Sequence, residues 1–370
     1  MERVVSVPDE ALGLRDAGPL DDPLRPVEPA SSELLCRPLS LRDVPSLLGD
    51  FELERFQLPE SLVAGHGLIR SSLGSLRPLW RGQPRTLVAI DQGKIAAFVQ
   101  FQPAGRDRRW VALGAGYLSS SYSPGDAVEE VLRYALQSAA QRGVKRLYAR
   151  LPDDANLARN YHRVGFRAYA AETIWVAEHL DLQESTAAMS LREQEVTDTW
   201  AVHQLYNASA PRDVQYAEAA TSQRWELSHD GKRGSVVRGY LLEEGFQLTG
   251  YARVLSCGER HHLEAMFNPE ARVDRDAFLR SVLARTHRQA RLRQVYVAVR
   301  SYQQETEAAL ESLGFRPWIH QRCTIRYTAA RVQQVEAATV GALHVEVRER
   351  VPKQVPTFLT RRRPGRDPAV

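Results

Sequence analysis

The sequence has little of what several classes of protein need. Its three cysteines, Cys36, Cys257 and Cys323, lie far apart, so neither a disulfide framework nor a cysteine metal site is indicated. No run of about 18–20 uncharged apolar residues is present, which argues against a membrane-spanning helix. The opening MERVVSVPDE has acids where a secretory signal peptide has its apolar core. We therefore expect a cytoplasmic protein with reduced cysteines, no metal and no membrane partner.

A surplus of charge is also missing from the central part of the chain. The net charge is +4, but residues 1–30 contribute −4 and residues 357–370 contribute +3, which leaves +5 for the long stretch between them. This balance does not indicate a nucleic-acid groove, and nucleic acid is not an expected partner. The proline-rich residues 1–32 are predicted to be disordered, and residues 331–370 to form an extension with a basic, disordered tail.

Between these ends the sequence repeats itself loosely. An arginine and an aspartate six positions apart, Arg37 and Asp43, match Arg192 and Asp198. Two further pairs of segments match in the same order: 146–151 with 294–299, and 164–169 with 313–318. The offsets are 155, 148 and 149 residues, so they hardly drift. We therefore predict two homologous domains, 33–182 and 183–330.

Each half has the same predicted order of elements. A strand at about 33–39 leads into a helical stretch near Asp43, followed by a hairpin that turns at Asp91–Gly93. Another strand, an amphipathic helix, a strand, a short helix ending at Gly165 and a last strand complete the first half. This order predicts an α+β fold in which each domain is a mixed, mostly antiparallel sheet flanked by helices. The aromatic residues that open the second half are expected in its core: Trp200, Tyr206, Tyr216 and Trp225.

Two consecutive segments carry a family resemblance. The strand 143–148 and the helix 156–166, which contains Asn156, Tyr161 and Gly165-Phe166, resemble the GNAT superfamily of N-acetyltransferases. The chain is thereby identified as a tandem pair of GNAT-like domains. The resemblance implies transfer of an acetyl group from acetyl-CoA to a small-molecule or peptide amine, with a tyrosine that protonates the departing thiolate.

The resemblance also implies site residues. Tyr161 matches the proton donor, and the cofactor would lie along Leu118, Ser119 and Ser120, with Gly125 and Asn156 nearby. In the second half Leu310 takes the place of the tyrosine. That half has Glu264 as the candidate base, on one strand face with His262.

Both halves depart from the family at the loop that binds the cofactor pyrophosphate. Asp126 and Asp274 stand where glycine is expected, and Asp126 with Glu129 reads as a capping box. A carboxylate at an anion site opposes phosphate binding. Two functions therefore stay open: an acetyl-CoA-dependent N-acetyltransferase, and a non-catalytic binding or scaffold protein that keeps the fold.

Overall fold

The structure is a computed structural model. It describes the residues 34–48, 51–55, 59–64, 84–104, 109–118, 124–153, 157–178, 180, 189–227 and 234–328. The predicted disordered ends, the predicted domain boundary at 182/183 and the predicted site residues Ser119, Ser120 and Asn156 lie outside these residues. Among the described helices, none has the length and apolar character that crossing a lipid bilayer requires.

Thirteen strands form one sheet. The first half contributes β1 Leu35–Pro38, β2 Phe51–Arg55, β3 Arg85–Asp91, β4 Lys94–Ala104, β5 Arg109–Leu118, β6 Arg146–Pro152 and β7 Arg167–Glu178. The second half contributes β8 Arg192–Glu193, β9 Ser235–Glu244, β10 Gln247–Cys257, β11 Arg260–Phe267, β12 Gln294–Arg300 and β13 Arg316–Tyr327.

Helices lie against this sheet. They are α1 Pro59–Ala64, α2 Pro124–Gln141, α3 Ala158–Arg163, α4 Thr199–Ser209, α5 Arg212–Glu218, α6 Arg275–Gln289 and α7 Glu305–Ser312. The apolar stripes predicted on α2 and α6 pack into two separate cores, and the core around α6 also includes Trp175 and Ala177 of β7. Two of the four aromatic residues predicted in the core are exposed instead: Trp200 at 62% and Tyr216 at 55%, whereas Tyr206 and Trp225 are buried.

The strand order is β1-β3-β4-β5-β6-β13-β7-β12-β11-β10-β9-β8, with β2 paired to β5. The pairs β5–β6 and β11–β12 are parallel and the other pairs are antiparallel, which confirms the predicted mixed, mostly antiparallel sheet. At the centre, β13 lies between β6 and β7, and β7 lies between β13 and β12. The last strand of each half therefore pairs with the other half.

The repeat is visible in matching local structures. Arg37 donates to both carboxylate oxygens of Asp43 over 2.6 and 2.7 Å, and Arg192 does the same to Asp198 over 2.8 and 3.0 Å. In both halves this aspartate also accepts from the backbone three residues earlier and closes a short 3₁₀ turn. The matched arginine and aspartate are thus a structural bridge that fixes the chain after the first strand.

The halves differ after this bridge. The helical stretch predicted to begin near Asp43 is wrong over residues 51–55, which form strand β2 between short 3₁₀ turns (Leu41–Asp43 and Pro45–Leu48) and the short α1. In the second half the same place holds α4 and α5. The reason is visible in the sequence Phe51-Glu-Leu-Glu, since alternating apolar and charged residues have the period of a strand.

Candidate functional site

A wedge opens in the first half where β5 and β6 separate. The two strands pair over Arg109–Val111 and then diverge. β4 pairs with one edge of β5 along its length. The other edge, which pairs with β6 at Arg109–Val111, pairs with the antiparallel strand β2 from Gly114 to Leu118. The position that the resemblance gives to the cofactor arm is therefore filled by a strand of the chain itself.

Side chains fix β2 in this wedge. Tyr117 donates its hydroxyl to Glu52 Oε2 over 2.6 Å, and the ring of Phe51 packs edge-on against Phe98 with centroids 5.5 Å apart. Leu53 faces Gly116, where an added Cβ would lie 2.8 Å from the Leu53 side chain. Backbone pairing with β5, the hydrogen bond between Tyr117 and Glu52, and the apolar contacts of Phe51 and Leu53 together hold β2 in place.

The described site residues predicted in the first half, Leu118, Gly125 and Tyr161, have different surroundings. Leu118 pairs with Phe51 of β2, so a cofactor along this strand end requires β2 to leave. Gly125 lies in the first turn of α2, and its carbonyl accepts from Asn160 over 2.9 Å. Tyr161 is fully buried in the core, with its ring edge-on to Phe166 at 5.1 Å.

The aspartates that stand at the two expected pyrophosphate loops, Asp126 and Asp274, have different roles. The capping box at Asp126 is wrong, because α2 already begins at Pro124 and Glu129 instead contacts Asn160 and Arg163 at 3.3 and 3.1 Å. In the second half Asp274 is the N-cap of α6 and accepts from Ala277 N over 3.0 Å. This carboxylate uses a backbone donor that a bound phosphate would otherwise take.

A second wedge opens between β11 and β12. These strands pair from Arg260 opposite Gln294 to Glu264 opposite Ala298 and then separate. The carboxamide of Gln303 bridges the first open position: its Nε2 donates to Ala265 O over 2.8 Å, and its Oε1 accepts from Arg300 N over 3.1 Å. One side-chain amide here occupies the place that a strand takes in the first half.

A cavity of about 20 Å³, room for about one water molecule, lies beside this wedge. The polar side chains that line it are Tyr206, Glu218, Arg224, Glu264, Arg300, Tyr302 and Gln303. Of the two catalytic residues predicted from the sequence, Glu264 reaches this cavity, whereas Tyr161 belongs to the other half. Among the described residues there is no cluster of histidine, cysteine and carboxylate side chains suited to a metal ion.

The cavity wall is charged, and the charges alternate in sign. Glu264 contacts Arg224 at 3.4 Å, and Arg224 contacts Glu218 at 2.6 Å. Glu218 contacts Arg300 at 3.2 Å, and Arg300 contacts Glu172 of the first half at 2.6 Å. The five groups hold one another in place, which is how buried charges are tolerated.

The same neighbours set the pKa values. Burial raises the pKa of Glu218, but Arg224 and Arg300 outweigh it and bring the value down to about 2. Burial likewise opposes ionisation of Glu264, yet Arg224 and other nearby cations keep its pKa below the ordinary value. Burial raises the pKa of Tyr302 to about 12, although Arg300 lowers it. At neutral pH the cavity therefore presents ionised carboxylates and a protonated tyrosine.

Most of this cluster was missed by sequence reasoning. Glu218 ends α5, Arg224 lies in a 3₁₀ turn, and Arg300 and Tyr302 lie at the end of β12 and just after it, so nothing in the sequence spacing brings the three places together. One signal was available: Arg300 ends the apolar strand QVYVAV, and a charge at the end of a buried strand calls for a partner.

Comparison with known proteins gives the class. No protein-family model matches the sequence, and no curated protein has significant similarity to it. Among solved structures, the chain is similar to a tandem GNAT protein from the clavulanic acid biosynthesis pathway, solved without AcCoA. That match has a TM-score of 0.51 and 16% identity and covers 81% of this chain and 100% of the other.

A GCN5-related N-acetyltransferase from Sphaerobacter thermophilus is also similar, with a TM-score of 0.47 and 12% identity over 76% of this chain and 96% of that protein. The match to the tandem GNAT protein shows that the chain has the GNAT fold twice in tandem, as the family resemblance and the repeat predicted.

Proposed function

We propose that the chain is an acetyl-CoA-dependent N-acetyltransferase whose working site is the wedge and cavity of the second half. The observation that carries this proposal is the position of Glu264. It stands at the last paired position of β11 and β12, lines the cavity, and is 30% exposed at its side chain. An ionised carboxylate at the mouth of this wedge can accept the proton that an attacking amine must lose.

The proposed reaction assigns a place to each proton. The amine nitrogen attacks the thioester carbonyl, a C–N bond forms and the C–S bond breaks. Glu264 takes the amine proton, directly or through the one water molecule for which the cavity has room. Tyr302, whose raised pKa keeps it protonated, is the cavity tyrosine able to return a proton to the thiolate. Tyr161, the proton donor implied by the resemblance, stays the candidate for the first half.

The residues fit one part of the donor better than the other. Beyond Glu264, the edge of β11 at Ala265–Phe267 pairs with no described strand on the β12 side, so it can accept the amide groups of an extended arm if Gln303 moves. The phosphate end fits less well, because Asp274 already caps α6. Arg272 and Arg275 flank this aspartate in the sequence, and Arg275 forms an ion pair with Glu305.

The test combines binding with turnover. We expect acetyl-CoA to bind in calorimetry and the enzyme to acetylate at least one member of a panel of amines and N-terminal peptides. Glu264→Gln should lower kcat by roughly 100-fold or more with little change in acetyl-CoA affinity. Glu178→Gln, an exposed carboxylate at the end of β7, is the matched control and should leave turnover unchanged. Absence of binding at millimolar acetyl-CoA excludes the proposal.

A second candidate function is favoured by a specific observation. Both wedges hold groups of the chain itself, β2 in the first half and the Gln303 amide in the second, and Asp274 caps α6. These features suit a non-catalytic binding or scaffold protein with the GNAT fold. Such a protein would bind no acetyl-CoA, and Gln303→Ala would not change that; an increase in affinity in this variant favours the enzyme.

A further inference from the structure

Strand β2 of the first half has no counterpart among the described residues of the second half. The described residues of the second half hold α4 and α5 in the corresponding place, and no described strand pairs with β11 on its β12 side beyond Glu264. The two wedges are therefore unequal, although the strands that form them are equivalent in the repeat.

The edge that β2 covers is chemically general. A free strand edge presents backbone N–H and C=O groups that pair with any extended chain bearing amides, whether a peptide or the two-amide pantetheine arm of coenzyme A. Five residues of β2, Phe51–Arg55, pair with Gly114–Leu118 and use this edge up to the end of β5. Two chains cannot pair with one edge at the same time.

The fit of β2 is specific on both of its faces. On one face of β2, Glu52 accepts a hydrogen bond from the Tyr117 hydroxyl, and on the other face Phe51 packs against Phe98. Gly116 leaves room for the Phe98 ring and for Leu53, since a Cβ at this position would overlap the ring and would lie 2.8 Å from Leu53. The surface of β5 that β2 covers therefore accommodates side chains of β2 as well as pairing with its backbone.

The segment continues to the second half. α1 begins at Pro59, four positions after β2 ends, and its Leu62 packs with Ile174, Tyr296 and Ala298. Ala298 is opposite Glu264 and also lines the cavity. β2 therefore lies in the wedge of the first half, and α1 reaches the wall of the candidate site in the second.

We infer that β2 is an intramolecular competitor for the acyl-carrier arm: while β2 pairs with β5, the first half cannot bind acyl-CoA. If the proposed function of the second half is right, the natural chain then binds one donor molecule, at the second half. This inference rests on the proposed function for the second site, but the occupancy of the first wedge can be tested separately. Displacement of β2 opens the first wedge to the same amide-bearing ligand.

The experiment uses the full chain, Leu53→Pro and acetyl-CoA. Proline removes an N–H donor from β2, so amides 114–118 should exchange with deuterium at least about tenfold faster than in the natural chain. Val196→Pro is the matched control, because residue 196 is 86% exposed at the start of a 3₁₀ turn and follows an extended residue. The control should not change exchange at 114–118.

Calorimetry then counts donor sites. The natural chain should bind one acetyl-CoA and Leu53→Pro two, with ligand protection of amides 114–118 in the variant alone. If the natural chain binds none and the variant binds one at 114–118, the inference holds and the proposed function of the second half fails. If β2 is released but acetyl-CoA does not protect 114–118, the inference is overturned. If Leu53→Pro does not fold, the same exchange and calorimetry measurements are made on Tyr117→Phe, which removes the hydrogen bond to Glu52, and the same results support or overturn the inference.

Discussion

Glu172 and Gln321 face each other across the two central strands, and the Gln321 amide donates to Glu172 Oε1 over 2.6 Å. They are 149 residues apart, which is the offset between the repeated segments, so they are equivalent positions of the two halves. The approximate two-fold relation of the repeat therefore passes between these side chains. Glu172 carries a carboxylate that forms an ion pair with Arg300 of the candidate site, whereas Gln321 at the equivalent position carries an amide.

Glu172→Gln should destabilise the protein strongly. The side chain is 1% exposed and lies between Arg150 and Arg300, so its removal leaves buried cations without their partner. We expect the free energy of unfolding to fall by about 3–5 kcal/mol in urea titration. Glu178→Gln on the same strand is exposed and should change it by less than about 0.5 kcal/mol. Equal losses of unfolding free energy in the two variants would contradict a stabilising role for the buried ion pairs of Glu172 with Arg150 and Arg300.

Acid should weaken the bridge between Arg37 and Asp43. The hydrogen bonds from Arg37 lower the pKa of Asp43 to about 2, below its unfolded value, so the bridge stabilises the fold above pH 4. This contribution, about 2 kcal/mol, is lost as the pH falls towards 2. Urea titrations at pH 7 and pH 2.5 should therefore differ less for Asp43→Asn than for the natural chain. Asp126→Asn, at an exposed position, should keep the full difference.

The helix-ending glycines of the repeat provide an internal comparison. Gly165 and Gly314 have φ values of 92° and 83°, and in both halves the next phenylalanine N–H closes the helix end over 3.0 Å. Alanine should cost about 1 kcal/mol at either site. Gly165→Ala should cost more, because its Cβ would lie 3.1 Å from Arg326 Nε, whereas a Cβ at 314 has no neighbour within 4 Å. Thermal unfolding of both variants measures this order; the reverse order contradicts it.

Asp274→Gly should change binding and stability in opposite directions. Removing the cap frees the Ala277 N–H for a phosphate oxygen, so acetyl-CoA affinity should increase by about fivefold to tenfold. The loss of the cap should cost a few tenths of a kcal/mol of stability. Calorimetry of this variant beside Asp126→Gly separates the halves, since β2 keeps the first wedge closed. Tighter binding in the Asp126 variant alone would move the donor site to the first half.

Local patterns predicted much of the fold. The hairpin at Asp91–Gly93, the stripes of α2 and α6, and the helix ends at Gly165 and Gly314 depend on turn chemistry and periodicity, which neighbouring residues carry. The GNAT fold was predicted from the family resemblance of segments 143–148 and 156–166, and its tandem arrangement from the repeat. The pairing of β7 and β13 with the opposite halves could not be predicted, because an antiparallel strand fits equally well beside its own half or the other.

The candidate site was harder to predict for a related reason. Glu264 stood out as a carboxylate on the equivalent of the cofactor strand, but its partners Arg224 and Glu218 are placed by tertiary packing. Strand β2 was missed although its residues alternate, because the repeat suggested that the first half would copy the helices of the second. The repeat thus predicted the elements that the two halves share, but it gave no indication of β2, which differs between them.

The exchange of β7 and β13 has a consequence for how the chain can be divided. Each half completes the other's sheet, which is the arrangement of a two-fold dimer whose subunits trade their last strands, here joined into one polypeptide. A half expressed alone would carry an unpaired strand and leave an open edge beside β6 or β12. Two separate halves supplied together should therefore reassociate, and a single cut between 181 and 188 should leave the fold in one piece.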